Sequence, residues 1–381
     1  MTTDERWMQR AIKLADRGRG WVEPNPPVGC VMVRDGQVVA EGHHARFGGP
    51  HAEAAALSDG PNVAGATAFV TLEPCCHSGR GKKTPPCAPR LIEAKVSRVV
   101  IGCRDPNPRV SGGGIATLRR AGIDVVEGVL GEICRRLIEP FRIGLEQQRP
   151  FVTLKWAVSA DGRVAGRQGR PVRITSGTSD RLVQELRSRC DAIAVGTNTV
   201  INDDPRLTVR VEDSARRPLR VVFSNSLRLP RARHLWSGEP TLLYTHDRHD
   251  LIDLPEHVEV VRLPGHDNGR GGMRFAMLDA YEDLYRRHVT HLLVEPGPTL
   301  ARFLIDQRLA DRIWIFRGTT RIGDDGLAAP RSDWQVTGTV DVGSDHLVEQ
   351  VLPDPATSSS ATESSDLRLA RLIVQSVQRS A

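Results

Sequence analysis

Along most of the chain, hydrophobic positions fall in short runs separated by charged or turn-forming residues. The segment VGCVMVRDGQVVAEG (28–42) reads as two β-rich runs joined by Asp35-Gly36, a dipeptide that favours a tight hairpin. Behind it, HAEAAAL predicts a helix, ATAFVTL a buried strand, APRLIEAKV a helix, RVVIGC a strand, IATLRRAGI a helix and DVVEGV a strand. Strands alternating with helices predict a layered α/β domain with a largely parallel sheet. The mixed, polar stretch from Glu139 closes on Arg149-Pro150 and predicts a boundary. Alternation then resumes with FVTLKWAV, a helix at 179–189, AIAVG, LRVVF, TLLYT, VEVVRL, a helix at 278–288, HLLVE, a helix at 298–306 and RIWIF, predicting a second α/β domain. The pattern divides the chain into 1–147, 148–352 and a remainder, 353–381. In that remainder PDPATSSSATESSD has no apolar pattern and reads as a linker, whereas LRLARLIVQSVQ has helical spacing and could dock on the body or frame a contact between copies.

Composition narrows the class. With 39% hydrophobic and 26% charged residues, the 381-residue chain is that of a globular protein of about two domains. No stretch approaches the ~20 apolar residues of a membrane span, and the start, MTTDERWMQRAIKLADRG, has helical spacing and no apolar core of the kind a secretory signal needs. Seven cysteines (30, 75, 76, 87, 103, 134 and 190) form an odd set, which favours a reducing cytoplasm and metal or buried thiols over disulfides. The net charge of +6 comes mostly from residues 1–149, with 21 basic and 16 acidic groups, and no basic stripe stands out. Aromatic residues are only 4% of the chain, so the base-stacking surface of an RNA-acting deaminase is not expected. A small anionic substrate is compatible with this surface, and neither nucleic acid nor membrane is an expected partner.

The chemistry concentrates in PHAEAAAL and LEPCCHSGRGKKTPPC. Zinc takes nitrogen and sulfur ligands in a tetrahedron, and a catalytic site leaves one position open, so one His and two Cys are the required count. His-x-Glu followed by Pro-Cys and a second Cys is the pattern of hydrolytic nucleobase deaminases. It assigns His51 and Cys75 to the metal and Glu53 to proton transfer. For the third ligand Cys76, His77 and Cys87 compete. Adjacent Cys75 and Cys76 on an extended backbone point to opposite sides, whereas Cys87 follows Pro85-Pro86 and can head the next helix, so Cys87 is the better candidate. A closed zinc site that only staples the loop would fill all four positions and would gain nothing from Glu53.

EPNPPVGCVMV, PHAE, TLEPC, TPPC and DPNPRVSGGGIATLRRAGIDV together resemble the deaminase half of the bifunctional deaminase/reductase family of riboflavin biosynthesis. The resemblance implies a cytidine-deaminase-like layered domain. It also implies a diaminohydroxy-phosphoribosylamino-pyrimidine substrate, zinc on His51, Cys75 and Cys87, Glu53 as proton shuttle and Asn25 as a substrate contact. The chain departs from the family in having eleven residues between the two Cys ligands where eight are usual. The excess falls in GRGKK, and Lys82-Lys83, two of only five lysines, could draw in the substrate phosphate.

The second domain has no G-x-G-x-x-G after a strand, which argues against a standard Rossmann fold. HLLVEPGPTLARFLI offers a strand, a Pro-Gly-Pro turn and a helix start, where backbone N–H groups can cradle phosphate. In order, PFVTLKWAVSADGRVA, ITS, QELRSRCDAIAVGTNTVINDDPRLTVR and VEPGPTL are similar to the reductase half of the same family. That half is dihydrofolate-reductase-like and reduces a ribosyl to a ribityl group with NADPH. By this resemblance Ala157, Thr199, Asp203, Gly297, Pro298 and Thr299 fall on the cofactor, and Lys155, Arg187, Leu207, Arg210 and Glu295 fall around the substrate. Arg173, Ser224-Asn225 and WIFRGTTRIGDDG depart from the family pattern. The expectation is therefore a cytoplasmic homo-oligomeric enzyme using Zn2+ and NADPH; the alternative is a zinc deaminase whose reductase-like domain is inactive.

Overall fold

The computed structural model describes residues 1–77, 85–108, 110–211, 214–227, 229–230, 233–246, 254–267 and 273–352, with Leu367, Ala370, Arg371 and Val374 beyond them. It divides into two compact units, Met1–Gln148 and Arg149–Ala381. The Lys82-Lys83 segment lies outside the described residues.

The first unit runs α1 (Thr3–Asp16), β1 (Gly29–Arg34), β2 (Gln37–His43), α2 (Ala52–Ala56), β3 (Thr67–Leu72), α3 (Cys87–Glu93), β4 (Arg98–Cys103), α4 (Gly113–Arg120), β5 (Asp124–Glu127), α5 (Gly131–Leu137) and α6 (Glu139–Gln147). Thr2 and Glu5 form a reciprocal capping box that starts α1. Asp35 and Gly36 both have positive φ (52° and 73°), as a two-residue turn matched to strand twist demands. The sheet order is β2-β1-β3-β4-β5. Only β3-β4-β5 are parallel, because the hairpin turns β1 antiparallel to both its neighbours, so the expected largely parallel sheet is mixed. Met8, Ala11, Leu14, Cys134 and Ile138 cover one face, and residues of α2, α3 and α4, among them Ala52, Leu91 and Leu118, cover the other. The polar stretch from Glu139, on which the expected boundary falls, is helical as far as Gln147, and the units divide just after it. Its apolar stripe is short, and Pro140 suggests a break, yet Pro is tolerated in a first helical turn.

The second unit runs β6 (Phe151–Val158), β7 (Arg163–Ala165), α7 (Gly177–Ser188), β8 (Ala192–Gly196), α8 (Thr197–Asp203), β9 (Leu219–Phe223), β10 (Thr241–His246), β11 (Val258–Leu263), β12 (Gly265–Asp267), β13 (Met273–Phe275), α9 (Met277–Arg286), β14 (His291–Val294), α10 (Pro298–Asp306), β15 (Arg312–Arg317), β16 (Leu327–Ala328), β17 (Gln335–Val342) and β18 (Asp345–Val351). Nine of these strands form one sheet, β11-β10-β9-β8-β14-β6-β15-β18-β17, parallel as far as β15 and antiparallel through the terminal hairpin. Buried His246 closes β10, and α9 and α10 pack on one face with Tyr281 and Leu304. On a further part of the sheet α7 buries Leu182, Val183 and Leu186 with Trp314, Phe316, Val340, Val342 and Leu347. Leu367, Ala370 and Val374 join that same cluster, and Arg371 Nη2 donates to Thr339 O at 2.7 Å. The C-terminal segment thus docks on the body through these residues. At the start of the unit, Arg149 donates twice to Asp311 (2.8 and 2.7 Å), and Val152 N–H reaches the same carboxylate at 2.7 Å.

Candidate active sites

In the first unit three elements converge on one point. His51 caps α2 with extended backbone, Cys75 lies three residues beyond β3, and Cys87 opens α3. His51 Nδ1 is 3.6 Å from Cys75 Sγ and 3.5 Å from Cys87 Sγ, and the Cys87 N–H donates to Cys75 Sγ at 3.4 Å. A tetrahedral zinc with ordinary Zn–N and Zn–S bonds would hold its nitrogen and sulfur ligands roughly 3.5 Å apart, so this donor set fits the metal. Among the described residues this is the group of His, Cys, Asp and Glu side chains arranged to hold an ion. Cys76 instead packs toward α4, where a Cβ on Gly113 would meet its Sγ at 2.7 Å.

Glu53, in the first turn of α2, is buried within hydrogen-bond reach of Cys87. Burial, with Cys75 beside it, pushes its carboxyl above the usual range. The neighbouring Cys75 sulfur, burial and Glu53 push the Cys87 thiol well up. These thiols lose their protons readily only when a cation takes their place, the usual coupling between metal binding and proton release.

Two site residues escape sequence reasoning. Glu73, in LEPC, is buried and accepts from four backbone N–H groups: Asp105 at 3.4 Å, Gly112 at 3.0 Å, Gly114 at 3.0 Å and Ile115 at 3.2 Å. It caps α4 and so fixes the chain on which Cys75 sits. A Cβ on Gly114 would stand 2.0 Å from Pro74 O, which explains a glycine here. His44 is buried, places Nε2 3.2 Å from Asn25 Nδ2 and Nδ1 2.8 Å from Pro50 O, and has its ring centroid 5.5 Å from that of His51. Burial lowers its pKa, which favours the neutral ring beside a metal ligand. The signal available in sequence was only an acid between an apolar run and Pro-Cys, and a histidine pair ahead of PHAE.

In the second unit Arg187, near the end of α7, forms a two-point ion pair with Glu295, just beyond β14, and donates to Thr208 O at 3.0 Å. Burial works to raise the Glu295 carboxyl, but Arg187, Lys155 and Arg210 outweigh it and hold it at about 2. Lys155 lies on β6 with Nζ 6.0 Å from the Phe316 ring centroid. Arg210 N–H is held by Gln184 Oε1 at 2.8 Å, and buried Leu207 adopts positive φ (51°) between these contacts. Thr199 and Asp203 lie on α8. Gly297 caps α10, which begins at Pro298-Thr299, and a Cβ on Gly297 would reach Thr199 Oγ1 at 3.5 Å. Two helix starts therefore stand side by side, a setting that suits a phosphate-bearing cofactor. Ala157, on β6, pairs in register with Phe316.

The departures from the family pattern find partners within the unit, Ser224 buried and Arg173 on the surface. Ser224 Oγ accepts from Thr197 Oγ1 (2.9 Å) and Leu227 N (3.2 Å), and Asn225 Oδ1 accepts from Phe275 N (3.2 Å). Arg173 pairs with Asp180 at 2.9 Å, and Asp161 gathers the N–H groups of Ile322 and Gly323.

Residues 1–103 match the cytidine and deoxycytidylate deaminase zinc-binding region, and residues 150–345 match the RibD C-terminal domain. The riboflavin biosynthesis protein RibD of Escherichia coli is 38% identical over 335 residues, covering 84% of this chain and 89% of its own. That of Aquifex aeolicus is 38% identical over 326 residues, covering 84% and 88%. A Thermotoga maritima structure described as a diaminohydroxyphosphoribosylaminopyrimidine deaminase/5-amino-6-(5-phosphoribosylamino)uracil reductase superposes with a TM-score of 0.81 at 36% identity, covering 92% of this chain and 99% of that one. A zinc-binding deaminase region joined to a reductase region defines a bifunctional deaminase/reductase. The chain belongs to the RibD family of riboflavin biosynthesis proteins. None of its described helices is long and apolar enough to cross a membrane.

Proposed function

We propose that the first unit removes the ring amino group of a diaminohydroxy-phosphoribosylamino-pyrimidine and that the second reduces the ribosyl group of the product to ribityl. The observation that carries this reading is the convergence of His51, Cys75 and Cys87 at 3.5 and 3.6 Å, with buried Glu53 alongside. His51, Cys75 and Cys87 would hold zinc, which when bound would supply the Lewis acidity that makes water a nucleophile at neutral pH. Glu53, its carboxyl raised by burial, takes a proton from the attacking water and gives it to the ring nitrogen; it then takes the hydroxyl proton of the adduct and gives it to the amino group, which leaves as ammonia as the ring C–N bond breaks. Asn25, set by His44, orients the pyrimidine.

In the reductase half, Ala157, Thr199, Asp203, Gly297, Pro298 and Thr299 would hold NADPH, which supplies the hydride. Lys155, Arg187 and Arg210 lie around the Glu295 carboxylate, with Asp203 also close to it, and the two arginines suit a phosphate monoester. Leu207, assigned to the substrate by the same reading, is buried in the apolar cluster with Val195 and Val200. This built constellation disfavours an inactive second domain. A homo-oligomer in the cytoplasm belongs to the same reading, with β17 at the outer end of the sheet, where Val336 is exposed, as a surface for self-association; light scattering tests it.

The test follows ammonia and nicotinamide absorbance together. Glu53→Gln should abolish ammonia release and spare reduction of supplied intermediate, while Asp203→Ala should do the reverse. Collapse of reduction in Glu53→Gln despite intact zinc would overturn the division of labour.

A further inference from the structure

Two loops border the zinc-ligand side of the first unit: the stretch before β1, which carries Asn25, and the stretch after β2, which carries His44. They are laced together at successive levels. Near β1 and β2, His44 N–H donates to Val28 O at 2.9 Å; the next rung is Asn25 Nδ2 with His44 Nε2 at 3.2 Å. Farther along, Phe47 N–H donates to Trp21 O at 2.8 Å. That last rung carries two large aromatic side chains, each 45% exposed. The middle rung adjoins His51, since the His44 and His51 rings lie 5.5 Å apart. Trp21 and Phe47 are therefore the next, exposed rung along from the Asn25–His44 pair that adjoins His51.

Exposed aromatic surface is costly to leave in water, and aromatic faces pack well on the apolar face of a sugar or a flat ring. In the substrate assigned above, the group one step outward from the pyrimidine is its pentose. We propose that Trp21 and Phe47 form an aromatic wall for the pentose of the deaminase substrate. This wall selects a ribosylated pyrimidine over the free base and rests on the deaminase reading of the same site. The backbone hydrogen bond between Phe47 and Trp21 ties the two residues together before substrate arrives, which lowers the ordering cost of binding.

The experiment compares the full chain with Trp21→Ala, Phe47→Ala and the conservative Trp21→Phe. Deamination is measured on the phosphoribosylated pyrimidine and on the same pyrimidine without its sugar, and affinity for the intact nucleotide is measured by calorimetry in a Glu53→Gln background. Each alanine variant should raise KM for the nucleotide about tenfold, leave kcat, zinc content and reduction of supplied intermediate unchanged, and leave KM for the free pyrimidine unchanged. Trp21→Phe should recover most of the loss. Equal losses on both substrates would mean that the rung only positions Asn25 and His44, and unchanged KM would remove the wall altogether; either overturns the proposal. If no variant and not the parent releases ammonia, the deaminase reading fails, and the calorimetric affinities still decide the wall: unchanged affinity in the alanine variants overturns it.

Discussion

The guanidinium of Arg187 closes on the Glu295 carboxylate through two near-parallel hydrogen bonds, Nε to Oε1 at 2.8 Å and Nη2 to Oε2 at 2.9 Å. Because Arg187 also donates to Thr208 O, one side chain ties α7, the stretch after α8 and the end of β14 together. Arg187→Lys keeps the charge and loses the fork. Losing the second charged hydrogen bond should cost about 1.5 to 3 kcal/mol, read as at least a tenfold fall in reductase kcat/KM with ammonia release unchanged.

The same pair contributes to the acid behaviour of the second unit, alongside Asp161, Asp204 and Asp345, whose carboxyls are also held low. Glu295 is held at about 2 in the folded protein, below its value of about 4.3 in an unfolded chain. A carboxylate depressed by folding stabilises the fold above the unfolded value and loses that contribution as pH falls through the folded one. The melting temperature of the reductase unit should therefore drop between about pH 4.3 and pH 2. In Glu295→Gln this acid limb should be shallower, as followed by circular dichroism.

Glu73 should prove as important to the deaminase as a metal ligand. Its carboxylate collects four N–H groups around the start of α4, and an amide in its place would present its own N–H to donors. Glu73→Gln should lower the melting temperature of the first unit, at about 1.5 to 3 kcal/mol for each charged hydrogen bond lost. Weakened zinc retention under a chelator should accompany it, since Cys75 is two residues away.

Metal analysis separates the cysteines. Cys87→Ser and Cys75→Ser should lose zinc, whereas Cys76→Ser should keep it, because Cys76 faces α4. Loss of zinc in the Cys76 variant alone would require a different ligand set.

Ending the chain after Leu352 should destabilise only the reductase. Leu367 and Ala370 are fully buried against Trp314, Val340, Val342 and Leu347, and their removal opens that apolar surface. The expected result is a lower second melting transition and a gain in dye binding to exposed apolar surface, with ammonia release intact.

The grouping of His51, Cys75 and Cys87 into a candidate metal site was legible because zinc chemistry dictates residue type and spacing, and these residues sit within short motifs next to predicted element ends. Most central strands were legible too, since strands buried on both faces read as unbroken apolar runs. The β17–β18 hairpin was not, because QVTGTVDV alternates buried and exposed positions around a glycine and a bulge and offers no such run. The role of Glu73 was hidden for another reason. Its partners lie some forty positions away, as with Ile115 at a separation of 42, and no local pattern announces a carboxylate that serves someone else's helix. The helix in the polar stretch from Glu139 was not legible, because in α6 only Glu139, Ile143 and Gly144 are buried.

The corner at Gln148 and Arg149 has a consequence for inheritance. Each side of it is a compact unit that holds its own candidate site residues, and Arg149 is tied into the second unit through Asp311. A stop codon just after Gln148 should leave a working deaminase, and a reading frame restarted at Arg149 should yield the other half. Loss-of-function alleles of such a locus should then fall into two groups that rescue one another when expressed together, as if one gene were two. A break only a few codons later would strip Arg149 from Asp311 and spoil the second group.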